Sequence, residues 1–132
     1  MTSAAPAAGA SRGLNVVVLC GQLSSEPRSR TLPSGDIVWS YEVTTRLDAG
    51  PAQSVPVVLG RARPPKRLSA GDEVIVIGRV RRRYFRAGGH TASRTEVVAD
   101  RLSRTNRHAA ATRALDDAAR TVADHAGTLD SG

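Results

Sequence analysis

Residues 73–86 read Glu73-Val74-Ile75-Val76-Ile77-Gly78-Arg79-Val80-Arg81-Arg82-Arg83-Tyr84-Phe85-Arg86. β-branched residues fill the first half, and a strand sends successive side chains to opposite faces. Period two therefore places Val74, Val76, Gly78 and Val80 on one face and Ile75, Ile77, Arg79, Arg81, Arg83 and Phe85 on the other. The first face suits a core. The second carries three arginines in a row ending at an aromatic ring, which is cation for phosphate and a flat surface for a base. Arginine also stacks on bases, which lysine does less well. A solvated edge strand guarded by charge is the competing reading of the same arginines. Ile75 and Ile77 are aliphatics on an outer face, read as a subunit interface, with a local core beneath the C-terminal segment as the alternative.

Outward from this strand, β-branched runs alternate with turn residues, the signature of an all-β domain. The first strand spans about Leu14 to Leu23 and stops before Glu26-Pro27. Leu32-Pro33-Ser34-Gly35-Asp36 reads as a tight turn. The second strand, Ile37 to Arg46, sets Ile37, Trp39, Tyr41 and Val43 on a core side against Ser40, Glu42 and Thr44. Val55 to Leu59 forms a third strand, which Pro56 marks as an edge or an irregularity. After a Pro-interrupted basic connection over residues 61–70 comes the strand quoted above. A hairpin tip at Ala87-Gly88-Gly89-His90 leads into the fifth strand, Arg94 to Leu102. Five strands in this order predict an all-β, five-stranded OB-fold barrel, a scaffold for single strands or oligosaccharides.

Two segments flank that domain, taken as residues 13–107. Residues 1–12 hold no large apolar side chain and predict a flexible arm. From residue 108 the period changes to helical: Ala111, Leu115, Ala118, Val122 and Ala126 recur between polar positions. This predicts a weakly docked C-terminal α-helix of about four turns ended by Gly127, then a tail to residue 132.

The chain of 132 residues carries 19 Lys and Arg against 12 Asp and Glu, a net charge of +7. The surplus is local: 17 basic and 8 acidic residues precede position 108, and 2 and 4 follow from there. A basic domain favours polyanions, although the scarcity of lysine also fits a compositional bias towards arginine. Cys20, the one cysteine, has no partner for an internal disulfide and suits a reducing cytoplasm. No apolar stretch reaches the roughly 20 residues of a membrane span, so no membrane partner is expected.

No catalytic or metal-ligating constellation emerges, and neither an enzyme nor a cofactor is expected. His90, His108 and His125 lie apart from any Cys or carboxylate at ligand spacing. Gly88-Gly89 lacks a phosphate-loop lysine, and Asp116-Asp117 reads as a solvated pair on a helix.

Gly13-Leu14-Asn15-Val16-Val17-Val18-Leu19-Cys20-Gly21-Gln22-Leu23 resembles the opening strand of bacterial single-stranded DNA-binding proteins, which follows G-x-N-x-V-x-L-x-G-x-L. Pro27, Arg30, Pro33 and Gly35, then Gly71 to Arg83, then Thr95 to Asp100 fall in that family's order, so the resemblance covers about residues 13–104. It implies an OB fold, a homotetramer built as two dimers, and sequence-independent wrapping of single-stranded DNA in replication, repair or recombination, in the nucleoid of the cytoplasm. By resemblance Phe85 is a base-stacking aromatic, Arg81 and Arg83 are phosphate contacts, and Ile75 and Ile77 sit on the strand of dimer-dimer contact. Arg79, Tyr84, Arg86, Arg28, Arg30 and Arg46 complete the candidate nucleic-acid set, and Val16 joins the candidate interface.

The chain departs from the family as a divergent, paralogue-like member. Its third strand lacks the tryptophan and phenylalanine that stack bases in the family, each such platform being worth about 1–3 kcal/mol. It ends Leu129-Asp130-Ser131-Gly132 instead of in an acidic tip closing on phenylalanine, so enzyme recruitment through such a tip is not expected. Two alternatives follow: an oligomeric OB-fold interaction protein with weak or lost DNA binding, and an RNA binder, since stacking and phosphate contacts do not read the 2′-hydroxyl.

Overall fold

A computed structural model describes residues 13–60, 64–65, 67–106 and 108–130. The expected arm over residues 1–12 and the end of the tail lie outside the described residues. Six strands and one helix follow in order: β1 Val17–Leu23, β2 Arg28–Thr31, β3 Ile37–Thr45, β4 Gln53–Leu59, β5 Glu73–Ala87, β6 His90–Arg104 and α1 His108–Asp130. The strands form one sheet in the order β1-β5-β6-β4-β3-β2, with an additional β1–β3 pairing through Gln22↔Thr44 and Leu23↔Val43. All pairings are antiparallel except β4–β6, which runs parallel from Val57↔Val97 to Leu59↔Ala99.

Six strands replace the expected five. The extra one, β2, reads Arg-Ser-Arg-Thr and is exposed throughout, so no alternation of apolar and polar residues announces it. Pairing alone makes it a strand: Arg28↔Ser40 to Thr31↔Ile37 across a turn in which Leu32 N–H donates to the Asp36 carbonyl at 2.8 Å. β5 and β6 are longer than expected because Gly88 (φ 58°) and Gly89 (φ 81°) close a two-residue hairpin, the conformation in which both central residues need positive φ. Pro56 pairs with Glu42 and lies one residue before the β4–β6 pairing begins.

The core gathers Leu23, Tyr41, Val43, Val57, Val74, Val76, Val97, Ala99 and Leu102, with Trp39 half-buried against it. Burial pushes the Tyr41 hydroxyl above its ordinary range. Ile37 is exposed beside the β2–β3 turn, and Val80 lies half out of the core, beyond the last β1–β5 pair at Gly78, where β5 still pairs with β6. Both depart from the alternation read in the sequence.

A bulge interrupts the β5–β6 ladder: Ile77 stands opposite Arg101 but Gly78 opposite Ala99, leaving Asp100 without a facing residue. The parity of β6 therefore changes. On one side Arg101 and Ser103 share a face with Ile77 and Ile75; on the other Val98, Glu96 and Arg94 stand opposite Arg79, Arg81 and Arg83. Gly78 is required here, since a Cβ would come within 2.0 Å of the Val98 carbonyl oxygen. N-terminal to β1, the Asn15 side chain continues the pairing by accepting from Val80 N–H at 2.9 Å and donating to its carbonyl at 2.7 Å.

α1 runs for 23 residues, past the expected four turns, and Gly127 lies within it. Its buried face is Ala114 and Ala118, with Ala111 beside them, packed on Ile75, Ile77 and Val16. Leu115 and Val122, expected on the apolar stripe, stay exposed. Alanine lets the helix axis approach the sheet closely while the isoleucines supply the contact area. Asp117, expected to be solvated, pairs with Arg101 of β6 and with Arg120 at 3.6 Å. Among the described residues no helix is long and apolar enough to cross a membrane.

Candidate nucleic-acid interface

Residues that face one another across neighbouring strands project from the same side of a sheet. From Arg28↔Ser40 and Arg30↔Val38, through Ser40↔Val58 and Val58↔Val98, to Arg81↔Glu96 and Arg83↔Arg94, a single outer face runs across β2, β3, β4, β6 and β5. An open groove of about 370 Å³ lies along it. Its walls are Arg28 and Arg30 of β2 on one side and Arg83 and Arg94 of the β5–β6 arm on the other, with Val38, Ser40, Val58 and Glu96 between them. An adjoining hollow continues past Arg28, Ser40 and Arg94 towards Tyr41 and Glu42.

Four guanidinium groups and one carboxylate line the groove. The carboxylate, Glu96, is 2% exposed. It accepts from Arg81 at Oε2 and pairs with Arg83 Nε at 3.5 Å through Oε1. Arg83 also lies over the Phe85 ring, 5.1 Å from its centroid, at a distance where a cation and a ring face attract. Arg94 pairs with Glu42 of β3 at 3.4 Å and so ties the arm to the sheet. Among the described residues Arg28 and Arg30 enter no ion pair, whereas Arg83 and Arg94 each pair with a glutamate.

Of the sequence candidates, Arg28, Arg30 and Arg83 meet in the groove, and Arg81 and Phe85 extend the same face along β5. Arg79 stands on that face too but pairs with Asp100 at 3.3 Å. Tyr84 and Arg86 alternate onto the opposite side of the arm. Arg46 is separate, lining a cavity with Cys20, Gln22, Thr44 and Glu73. Ile75 and Ile77, read as a subunit interface with a local core beneath the C-terminal segment as the alternative, are buried within the chain under α1, and Val16 is partly buried beside them. The arrangement is that local core.

Arg94 and Glu96 were absent from the sequence candidates, yet a signal for both existed. Once the turn is fixed at Gly88-Gly89, counting back along the hairpin sets Arg94 opposite Arg83 and Glu96 opposite Arg81. No family model and no curated protein matches the chain.

Proposed function

We propose that this chain is an OB-fold protein that binds single-stranded DNA without reading its sequence, through the arginine-lined groove. The strand pairing and the place of the groove support the fold. The β1–β3 pairing turns the order β1-β5-β6-β4-β3 into a ring of five strands, with β2 as an added flap. In an OB fold the face of the second and third strands and the loop joining the fourth and fifth bind oligonucleotides. The corresponding elements here are β3, β4 and the β5–β6 arm, and these, with β2, line the groove.

The observation that carries the function is the groove itself: four arginines on two walls, an apolar and hydroxyl floor at Val38, Val58 and Ser40, and a partly exposed aromatic beyond Arg83. Cations on both walls hold a backbone by charge alone, and a floor with few fixed donors and acceptors does not select among bases. Anisotropy of a labelled, unstructured oligodeoxynucleotide at two salt concentrations tests this. Affinity is expected to fall with salt and to vary little with base composition, and absence of binding at low salt overturns the reading. A second reading, an OB-fold interaction protein with weakened nucleic-acid binding, draws on the pairing of Arg79, Arg81 and Arg83 with Asp100 and Glu96. It gains if the wild-type chain leaves the oligonucleotide free.

A further inference from the structure

β1 pairs with β5 only as far as Gly78, and β4 meets β6 only from Val97 onward, so from Arg81 and Glu96 to the hairpin tip β5 and β6 pair only with each other, tied to β3 on the groove side by Arg94 and Glu42. Arg81, Arg83 and Phe85 take the groove side. Arg82, Tyr84 and Arg86 alternate onto the other side, opposite Thr95, Ser93 and Thr91.

The two faces differ in charge balance. Beside the groove, Glu96 offsets the arginines. On the second face no carboxylate stands opposite, and among the described residues neither Arg82 nor Arg86 enters an ion pair. Among the described residues the Arg86 guanidinium donates to the Gly89 carbonyl, at 3.2 Å, a neutral acceptor that leaves its charge unpaired there. Between the two lies Tyr84, 66% exposed against 36% for Phe85. Cation, exposed ring, cation on alternate positions, beside three hydroxyl side chains, is the chemistry of a phosphate-and-base contact. Phe85 is partly occupied by Arg83, whereas no cation is stacked on Tyr84 among the described residues.

We propose that this second face, centred on Tyr84 and flanked by Arg82 and Arg86, is a separate contact surface for single-stranded nucleic acid. A strand leaving the groove then passes around the arm and is held on both of its sides. The inference rests on the groove being a single-strand site.

The experiment compares wild type, Tyr84→Ala, the pair Arg82→Ala/Arg86→Ala, and the groove pair Arg28→Ala/Arg30→Ala. Each is titrated with an oligonucleotide of about 8 nucleotides, within the roughly 4–16 that one OB fold occupies, and with one of about 30. Tyr84 is largely exposed, so its replacement leaves the thermal midpoint unchanged. Tyr84→Ala is expected to weaken binding of the long strand by about 5- to 150-fold, the range for one lost stack, with the short strand unaffected. The groove pair weakens both. If Tyr84→Ala and Arg82→Ala/Arg86→Ala match wild type at both lengths while the groove pair weakens binding, the second face is refuted and the groove stands. If Tyr84→Ala weakens both lengths equally, Tyr84 belongs to a single common site and the separate surface is refuted. If wild type binds neither strand, the groove reading fails and this inference with it.

Discussion

Arg81 and Glu96 face each other directly across the β5–β6 ladder, and the same buried carboxylate also holds Arg83. The two arginines that look most like phosphate ligands in the sequence therefore have a structural duty: they compensate a charge that would otherwise be buried alone. Replacing both with alanine leaves Glu96 without a cation, at a cost below the roughly 3–5 kcal/mol of breaking a fully buried pair because both arginines are partly exposed. The double variant is expected to lose about 1–3 kcal/mol in urea unfolding. Adding Glu96→Gln should recover most of it. A double variant as stable as wild type would show that solvent reaches Glu96 freely.

Arg28 and Arg30 are the cleaner probes of binding, because no carboxylate among the described residues depends on them. Arg28→Ala and Arg30→Ala are expected to leave the urea midpoint in place and to weaken single-strand binding for every base composition. The plot of log affinity against log salt flattens by about 0.7 for each phosphate contact removed. An unchanged slope in the double variant places the phosphates elsewhere.

The helix makes an opposite prediction for assembly. Removing residues 108–132 leaves the main core untouched, since its members lie on the strands and on Leu68. The same deletion uncovers Ile75 and Ile77, two isoleucines that are 2% and 8% exposed beneath α1. The truncated chain is expected to keep a cooperative thermal transition and to rise in mass with concentration by light scattering, as a bared apolar face seeks a partner. An unchanged mass at all concentrations would show that the two side chains are covered by other means.

Much of the sheet was legible in the sequence because period-two alternation survives wherever one face is buried. Trp39, Tyr41 and Val43 declared the core side of β3, and Val74 and Val76 that of β5. What the alternation cannot register is a strand with no buried face, and so Arg28–Thr31 was missed. Nor does it show a bulge in the partner strand: reading β5 alone places Arg81 on an outer face but not Glu96 beside it. The covering of Ile75 and Ile77 was legible only as an alternative. The expected stripe held Ala111 and Ala118, which do pack on the isoleucines, but also Leu115 and Val122, which stay exposed, and it lacked Ala114, because close packing on isoleucine favours the small side chain. The groove was half legible, Arg28, Arg30 and Arg83 being named and Arg94 and Glu96 not.

Two glycines should respond in opposite directions to the same substitution. At Gly78 a methyl group would meet the Val98 carbonyl oxygen at 2.0 Å and Val98 C at 2.8 Å, backbone atoms that cannot rotate away. The bulge depends on that approach, and Val98 also joins β4 to β6 through Val58. Gly78→Ala is expected to cost about 3 kcal/mol, the upper end for overpacking, and to lower the thermal midpoint by about 10 °C or more. At Gly127, inside α1 and exposed, a methyl group meets nothing within 4 Å. There Gly127→Ala should raise stability by about 0.5–1 kcal/mol through helix propensity. Calorimetry of the two single variants separates the cases. A Gly78→Ala protein that melts with wild type would mean that β5 and β6 pair without the bulge, and with it would go the register that sets Glu96 against Arg81.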